Sequence, residues 1–491
     1  MSQIGFLLKL GLIGSCLGWC LFQLRSVVDI FRQQEKSEKT KFLYLTLMYF
    51  FLIGSYTIVK EFKNSMFISI VGIDSLPAAK ILAMIALVPS ILFYSYLVDR
   101  LKRYQLLVFY SLFYSVFILM FGYFLSNPEI GIVNPEASPY RLYGWFFYFL
   151  IEGFSPFIVG VFWSFTNSIC DPESAKKNYS LMVSGSKLGG MFTSGFAWYY
   201  LSQTQCFGYS LTELSKHQAL FVMAAILLFL VPICAILLIK RVPARDLHGY
   251  EAAYKVDQLR EHKAKAKGYW NKFVDFFHSL FDGLWMLIKQ PYVLGIFGMI
   301  FFFEGLNVVL DLLRLTIAKD ASGNISELNC ILFEQMFYIH LIGFVIALFG
   351  TGLLLRKFGE RRCLLLIPIT TGLLVLLLLV NIHFGDYQIV NVVTFVYIGI
   401  RAINYAITYP VRESLYIPTV KEIKFKSKSW IDAFGTKFSK STGSVFNIFA
   451  RNLPYAYTIF FSLIIFLWTV TAYLLGKRFE KAIKNNEVIG E

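Results

Sequence analysis

The chain has 491 residues, of which 57% are hydrophobic and only 16% charged, with 50 Phe and 29 Tyr. That composition is too apolar for an ordinary soluble domain. The formal net charge of +15 would suggest nucleic acid in a soluble protein. Here the basic residues sit mostly in alternate connectors between apolar runs, so membrane topology explains them and no nucleic-acid partner is expected. Cys16, Cys20, Cys170, Cys206, Cys234, Cys330 and Cys363 lack metal-ligand spacing and an obvious disulfide framework, and are read as packing residues.

A hydrocarbon layer of about 30 Å takes about 20 apolar residues per helix. The first apolar run, 4–26, carries Lys9 and lacks a convincing small-residue cleavage site. It spans the membrane, lies along it or acts as an uncleaved anchor. Twelve stronger runs come after it at 42–60, 79–98, 105–125, 144–168, 182–200, 218–240, 291–312, 331–355, 363–382, 389–410, 432–450 and 454–476. The connectors at 99–104, around Lys176 and Lys177, at 240–290, Arg356 to Arg362, Lys421 to Lys428 and from Lys477 onward are basic, and residues 31–41 join them. The alternate connectors at 126–141, 201–216, 383–388 and the Leu453 turn carry few or no lysines and arginines. The basic set is therefore expected on the cytoplasmic side, together with the C-terminus.

The fold expected is an all-α polytopic membrane protein with twelve transmembrane helices in two six-helix bundles, plus an additional N-terminal segment. Its divisions are 1–40 (N-terminal segment and linker), 41–240 (first bundle), 241–290 (cytoplasmic linker), 291–476 (second bundle) and 477–491 (cytoplasmic tail). Within the linker, Asn271 to Lys289 reads as an amphipathic helix at the membrane surface. LVDRLKR (Leu97 to Arg103) is echoed by LRKFGERR (Leu355 to Arg362) after the second helix of the second half. Such paired charged turns resemble the punctuation of major-facilitator-like transporters, which are built from repeats.

Ionisable residues at membrane depth are costly and tend to face a bundle interior or a water-filled path. Lys60 and Lys63 lie three apart near the end of the first predicted helix, on one face suited to a polyanion, while Glu61 points elsewhere or pairs locally. Lys63 has a second reading, snorkelling to the outer headgroups. The interior is favoured because lysines at an outward end run against the positive-inside trend. Glu152 stands between YFL and FSPFIVGVFW, either as a solvated loop acid or as a binding or coupling acid. Lys187, within GSKLGG, is a candidate phosphate contact, although this stretch lacks P-loop spacing and ATP hydrolysis is not expected. Glu304, Asn307, Asp311 and Arg314 recur every three or four residues and draw a polar stripe along helix seven. Arg412 and Glu413 follow Pro410, where a broken helix exposes backbone groups. Lys428, Asp432 and Lys437 lead into helix eleven, followed by Lys440.

These stretches resemble the ATP/ADP translocase family of energy-parasitic bacteria and plastids. Its YTILRDTKD motif corresponds to YTIVKEFKN (Tyr56 to Asn64). Its SELWGS and LMFWGFAN stretches correspond to Ile151 to Asn167, placing Glu152, Phe162, Trp163 and Asn167. Its PTKEMAYIP and KxKxKxxID…GKSGGS stretches correspond to Pro410 to Pro418 and Lys424 to Ser444. The resemblance implies that Lys63, Glu152 and Lys428 act in nucleotide transport. The family's helix-seven glutamate falls on Leu310, with Asp311 one place later.

The expected function is nucleotide transport without enzymatic activity, cofactor or metal, by a functional monomer in the lipid bilayer of a bacterial inner membrane. ATP/ADP exchange by alternating access is expected, with Lys60, Lys63, Arg314, Arg412 and Lys428 supplying phosphate contacts. Glu152 and Asp311 would oppose these cations, and Tyr56, Phe154 or Tyr409 would stack on the base. The alternatives are proton-coupled nucleotide import, through protonation of Glu152, Asp311 or Glu304, and a porter for another phosphorylated metabolite or nucleotide cofactor.

Overall fold

The computed structural model describes residues 35–98, 100–170, 172–206, 209–247, 285, 289–349, 352–385, 389–404, 408–416, 418–420, 423, 427–450 and 455–490. The apolar run 4–26 and nearly all of the amphipathic stretch Asn271 to Lys289 lie outside them. In the first half, α1 spans Lys36–Ile70, α2 Leu76–Val98 and α3 Arg103–Phe124. Helix α4, Leu142–Ile169, contains a π turn at Ser155–Val159. Pro156 has no N–H to give, which favours a local departure from the α ladder. Then come α5, Pro172–Ser202, and α6, Glu213–Arg241. Between them, Gln205–Cys206 and Tyr209–Ser210 form a small antiparallel pair that hydropathy does not foretell. Thr212 caps α6 by accepting a hydrogen bond from the Ser215 N–H at 3.1 Å.

The second half contains α7 (Pro291–Asp320), α8 (Ile325–Phe349) and α9 (Gly352–Phe384). Helix α9 is broken at Gly359, whose φ of 72° lies in the left-handed region that glycine enters without a Cβ clash. Helix α10 is Ile389–Ile403, followed by a short helix, Tyr409–Ser414. A π turn at Ile431–Gly435 precedes α11, Thr436–Ala450, and α12 is Ala456–Lys484.

Among the described residues, nine helices are long and apolar enough to cross a membrane. The predicted runs at 182–200, 389–410 and 432–450 fall on α5, α10 and α11, which do not meet that measure. Helix α5 is long but rich in Ser, Lys and Gly, and the other two have 15 residues each.

The packing of the first six helices recurs in the last six. Helix α1 packs on α5 and α6 as α7 packs on α11 and α12, and the α3–α6 contact is repeated by α9–α12. The halves meet through the matching pairs α5–α8 and α2–α11. Buried side chains form two cores, one within 42–238 that also takes in the ends of α7 and α8, the other running from Tyr292 to Ile489.

Close backbone approach sets these crossings. A Cβ on Gly189 of α5 would lie 2.2 Å from the Phe50 carbonyl oxygen of α1, and one on Gly443 of α11 would lie 2.8 Å from the Gly305 oxygen of α7. At the α5–α8 crossing a Cβ on Gly190 would come within 2.4 Å of the His340 ring, which is itself anchored at 3.1 Å on Thr57 Oγ1. Gly190→Ala is therefore expected to strain the contact between the halves by about 1–3 kcal/mol, the usual cost of overpacking, and to lower the thermal midpoint in detergent. An unchanged midpoint would mean that the two helices separate freely there.

Candidate substrate chamber

Helix α1 does not stop near residue 60 but continues to Ile70, so Lys60 and Lys63 lie within the bundle and not at its rim. Hydropathy alone ends the run early because the cations interrupt it. Lys60, Glu61, Lys63 and Asn64 of α1 line a chamber with about 950 Å³ of empty space. Lys80 of α2, Glu152 of α4, Glu304 and Asp311 of α7, Arg401 of α10, and Lys437 and Lys440 of α11 complete its charged wall. Six cations and four acids from both halves thus share one space.

Glu152 is the centre of the arrangement. Lys63 Nζ donates to its Oε2 at 2.7 Å, and Lys437 Nζ donates to its Oε1 at 3.0 Å. One carboxylate therefore ties α1 and α4 of the first half to α11 of the second. Lys63 also sits 4.7 Å from the Tyr148 ring centroid, a cation–π contact. With 12% exposure and this anion beside it, Lys63 faces the interior and does not snorkel. One π turn begins three residues after Glu152, and the other directly precedes α11, which carries Lys437.

A second network lies alongside. Lys80 Nζ donates to Asp311 Oδ2 at 3.0 Å. Arg314, 0% exposed, donates to Glu61 Oε2 at 3.2 Å and to Gln335 Oε1 at 2.9 Å, lies 3.5 Å from Asp311, and covers the Tyr397 ring at 4.1 Å. Gln335 in turn donates to Thr394 Oγ1 at 2.7 Å. Glu61, 1% exposed, is also 3.7 Å from Lys60. The expected local pairing of Glu61 is present, but its partner across the halves is Arg314. Lys440 approaches Glu304 at 3.7 Å. Asn307 lines the chamber and donates to the Phe303 carbonyl at 2.8 Å, while its Oδ1 is buried without a partner among the described residues. Tyr56 lines the chamber and stacks on Phe154 at 5.1 Å.

Lys60, Lys63, Glu152, Asn307 and Asp311 are thus brought together, and several expected contacts are not. Arg314 is committed to Glu61 and Gln335 behind the wall, because a fully buried guanidinium needs its partners there. Asn167 is at the far end of α4, where its exposed side chain accepts from the Tyr179 hydroxyl at 2.7 Å. Lys187 packs against Gly343 of α8. Lys428 lies 5.4 Å from the Tyr416 ring centroid and does not line the chamber. Arg412 lines a neighbouring cavity and meets Asp432, which is half-exposed, at 3.9 Å. The side chains of Glu413 and Tyr409 lie outside the described residues.

Sequence reading missed Lys80, Arg401 and Gln335. Lys80 falls at the start of an apolar run and Arg401 inside one, so each reads as incidental. The stripe logic applied to helix seven would have found Arg401, which shares the phase of Tyr397 one turn earlier and donates to its hydroxyl at 3.4 Å.

Repeated helix packing around a charged chamber between two halves defines a polytopic membrane transporter of the major-facilitator-like class. Two solved transporters share this fold. The inward-open xylose transporter XylE from E. coli is 14% identical, with a TM-score of 0.56 over 90% of this chain and 95% of that one. A POT family transporter in complex with 5-aminolevulinic acid is 12% identical, with a TM-score of 0.55 over 92% and 96%. The chain belongs to the TLC ATP/ADP transporter family, whose profile matches residues 137–479. It is also similar to ADP,ATP carrier protein 1 of Rickettsia bellii (strain RML369-C), 22% identical over 505 residues that cover 92% of this chain and 96% of the relative. Family and fold make it a transporter of nucleotides or other solutes and not an enzyme.

Proposed function

We propose that this chain exchanges ATP for ADP by alternating access, in the manner of the bacterial and plastid translocases. Two six-helix bundles, 41–240 and 291–476, would move about the chamber, with the 241–290 linker and the C-terminus in the cytoplasm of a bacterial cell. The observation that carries the reading is the Lys63–Glu152–Lys437 bridge, in which lysines from opposite halves share one carboxylate. A phosphate chain offers those lysines charge-assisted bonds of the same kind. Its arrival frees Glu152 and opens the tie between halves, so the carrier reorients when loaded and resists reorientation when empty. Exchange is the consequence of that difference.

Protonation of Glu152 would release the same lysines, which is why proton-coupled import stands as the second reading. Purified protein in liposomes decides between them. Labelled ATP uptake is expected to require internal ADP or ATP and to be inhibited by external ADP. Uptake into empty liposomes that responds to a pH gradient would favour proton coupling, and inhibition by sugar phosphates but by no nucleotide would reject both readings.

A further inference from the structure

Beside the chamber lies a second cavity, with about 780 Å³ of empty space, between α7, α9 and the region after α10. The two spaces share Glu304 and Arg401 as lining residues, so they adjoin at those side chains. Their chemistry differs. The chamber wall is dominated by ammonium and carboxylate groups, whereas the second cavity mixes polar groups with apolar surface from Met299, Phe303, Leu364 and Val411 in about equal parts. Its polar groups come largely from one stretch of chain, where Arg401, Asn404, Thr408 and Arg412 recur every three or four residues and all line it. The Thr408 hydroxyl is buried and has no hydrogen-bond partner among the described residues. An unsatisfied buried hydroxyl is costly unless something completes it, and Asn404 adds an amide able both to donate and to accept.

We infer that this second cavity receives the heterocyclic base of the nucleotide while the chamber holds its phosphates, and that Asn404 and Thr408 read the edge of the base. The inference rests on the nucleotide-transport reading and deepens it. A nucleotide has one polyanionic end and one flat, apolar end edged with donors and acceptors, and the two adjoining spaces divide the same way. Apolar faces would grip the ring without regard to its identity. The amide and hydroxyl would discriminate, because a base presenting the wrong edge leaves them unpaired. Arg401, facing both spaces, sits where ribose joins phosphate.

The test uses the full-length protein in liposomes, with labelled ATP uptake inhibited by ATP, GTP, CTP, UTP or tripolyphosphate, which has no base. Asn404→Leu and Thr408→Val keep side-chain bulk and remove hydrogen bonding. Each is expected to weaken inhibition by the best nucleotide about tenfold, as for loss of one good hydrogen bond. The order of the four nucleotides should also flatten, inhibition by tripolyphosphate should stay unchanged, and Thr408→Ser should restore the wild-type order. Equal weakening toward tripolyphosphate and nucleotides would overturn the assignment, as would an unchanged order in both variants. If tripolyphosphate inhibits the wild type as well as any nucleotide, the base site fails while the phosphate site stands. If neither inhibits, nucleotide transport itself fails.

Discussion

Arg314→Met is expected to destabilise the protein by about 3–5 kcal/mol, the cost of breaking a buried ion pair from one side. The guanidinium is wholly buried and serves Glu61, Gln335 and Asp311 while lying over Tyr397. Its removal leaves Glu61, equally buried, with only Lys60 at 3.7 Å among the described contacts. Arg314→Lys should rescue little, because one ammonium cannot present the planar fork that reaches a carboxylate and an amide together. The double variant Glu61→Gln, Arg314→Met should recover most of the loss, since both charges then leave the interior. Thermal unfolding in detergent measures all three. A single Arg314→Met protein as stable as the wild type would show that the pair does not join the halves.

Lys63→Ala is expected to weaken ATP binding by about 1.5–3 kcal/mol, a ten- to hundredfold loss, as for a hydrogen bond to a charged group. The fold should survive, because Glu152 keeps Lys437 at 3.0 Å. The variant should also show less dependence of uptake on internal nucleotide, since one of the two ties through Glu152 is gone. Competition binding and loaded-against-empty liposomes read the two effects separately. Wild-type affinity in Lys63→Ala would remove Lys63 from the phosphate site.

Much of the architecture was readable from hydropathy, because a helix in hydrocarbon must be a long apolar run. The described helices fall where those runs predicted. Several of their ends did not. Helix α1 runs on past Lys60 to Ile70, about 2.8 turns, through the chamber residues Glu61, Lys63 and Asn64, and α7 continues from the predicted 312 to Asp320 through Arg314, Lys319 and Asp320. A scale that penalises charge cuts a helix short where ionisable residues begin. The candidate site was legible wherever charge stood out against apolar neighbours, as at Lys63, Glu152 and Asp311. It was not legible where pairing across the halves decides the role. Nothing local distinguishes Arg314, which is locked behind the wall, from Lys437, which lines it. Lys428 carries the resemblance to the family, yet lies by Tyr416 and not in the chamber.

The π turns at Ser155–Val159 and Ile431–Gly435 have an evolutionary corollary. Each amounts to an α-helix with one residue too many, and one residue is about 100° of rotation. Loss of a single codon in either stretch would restore regular winding and swing the neighbouring side chains to a new bearing. Descendants of this fold thus have a route to new cargo by short indels in two places, without rewriting the lining by substitution.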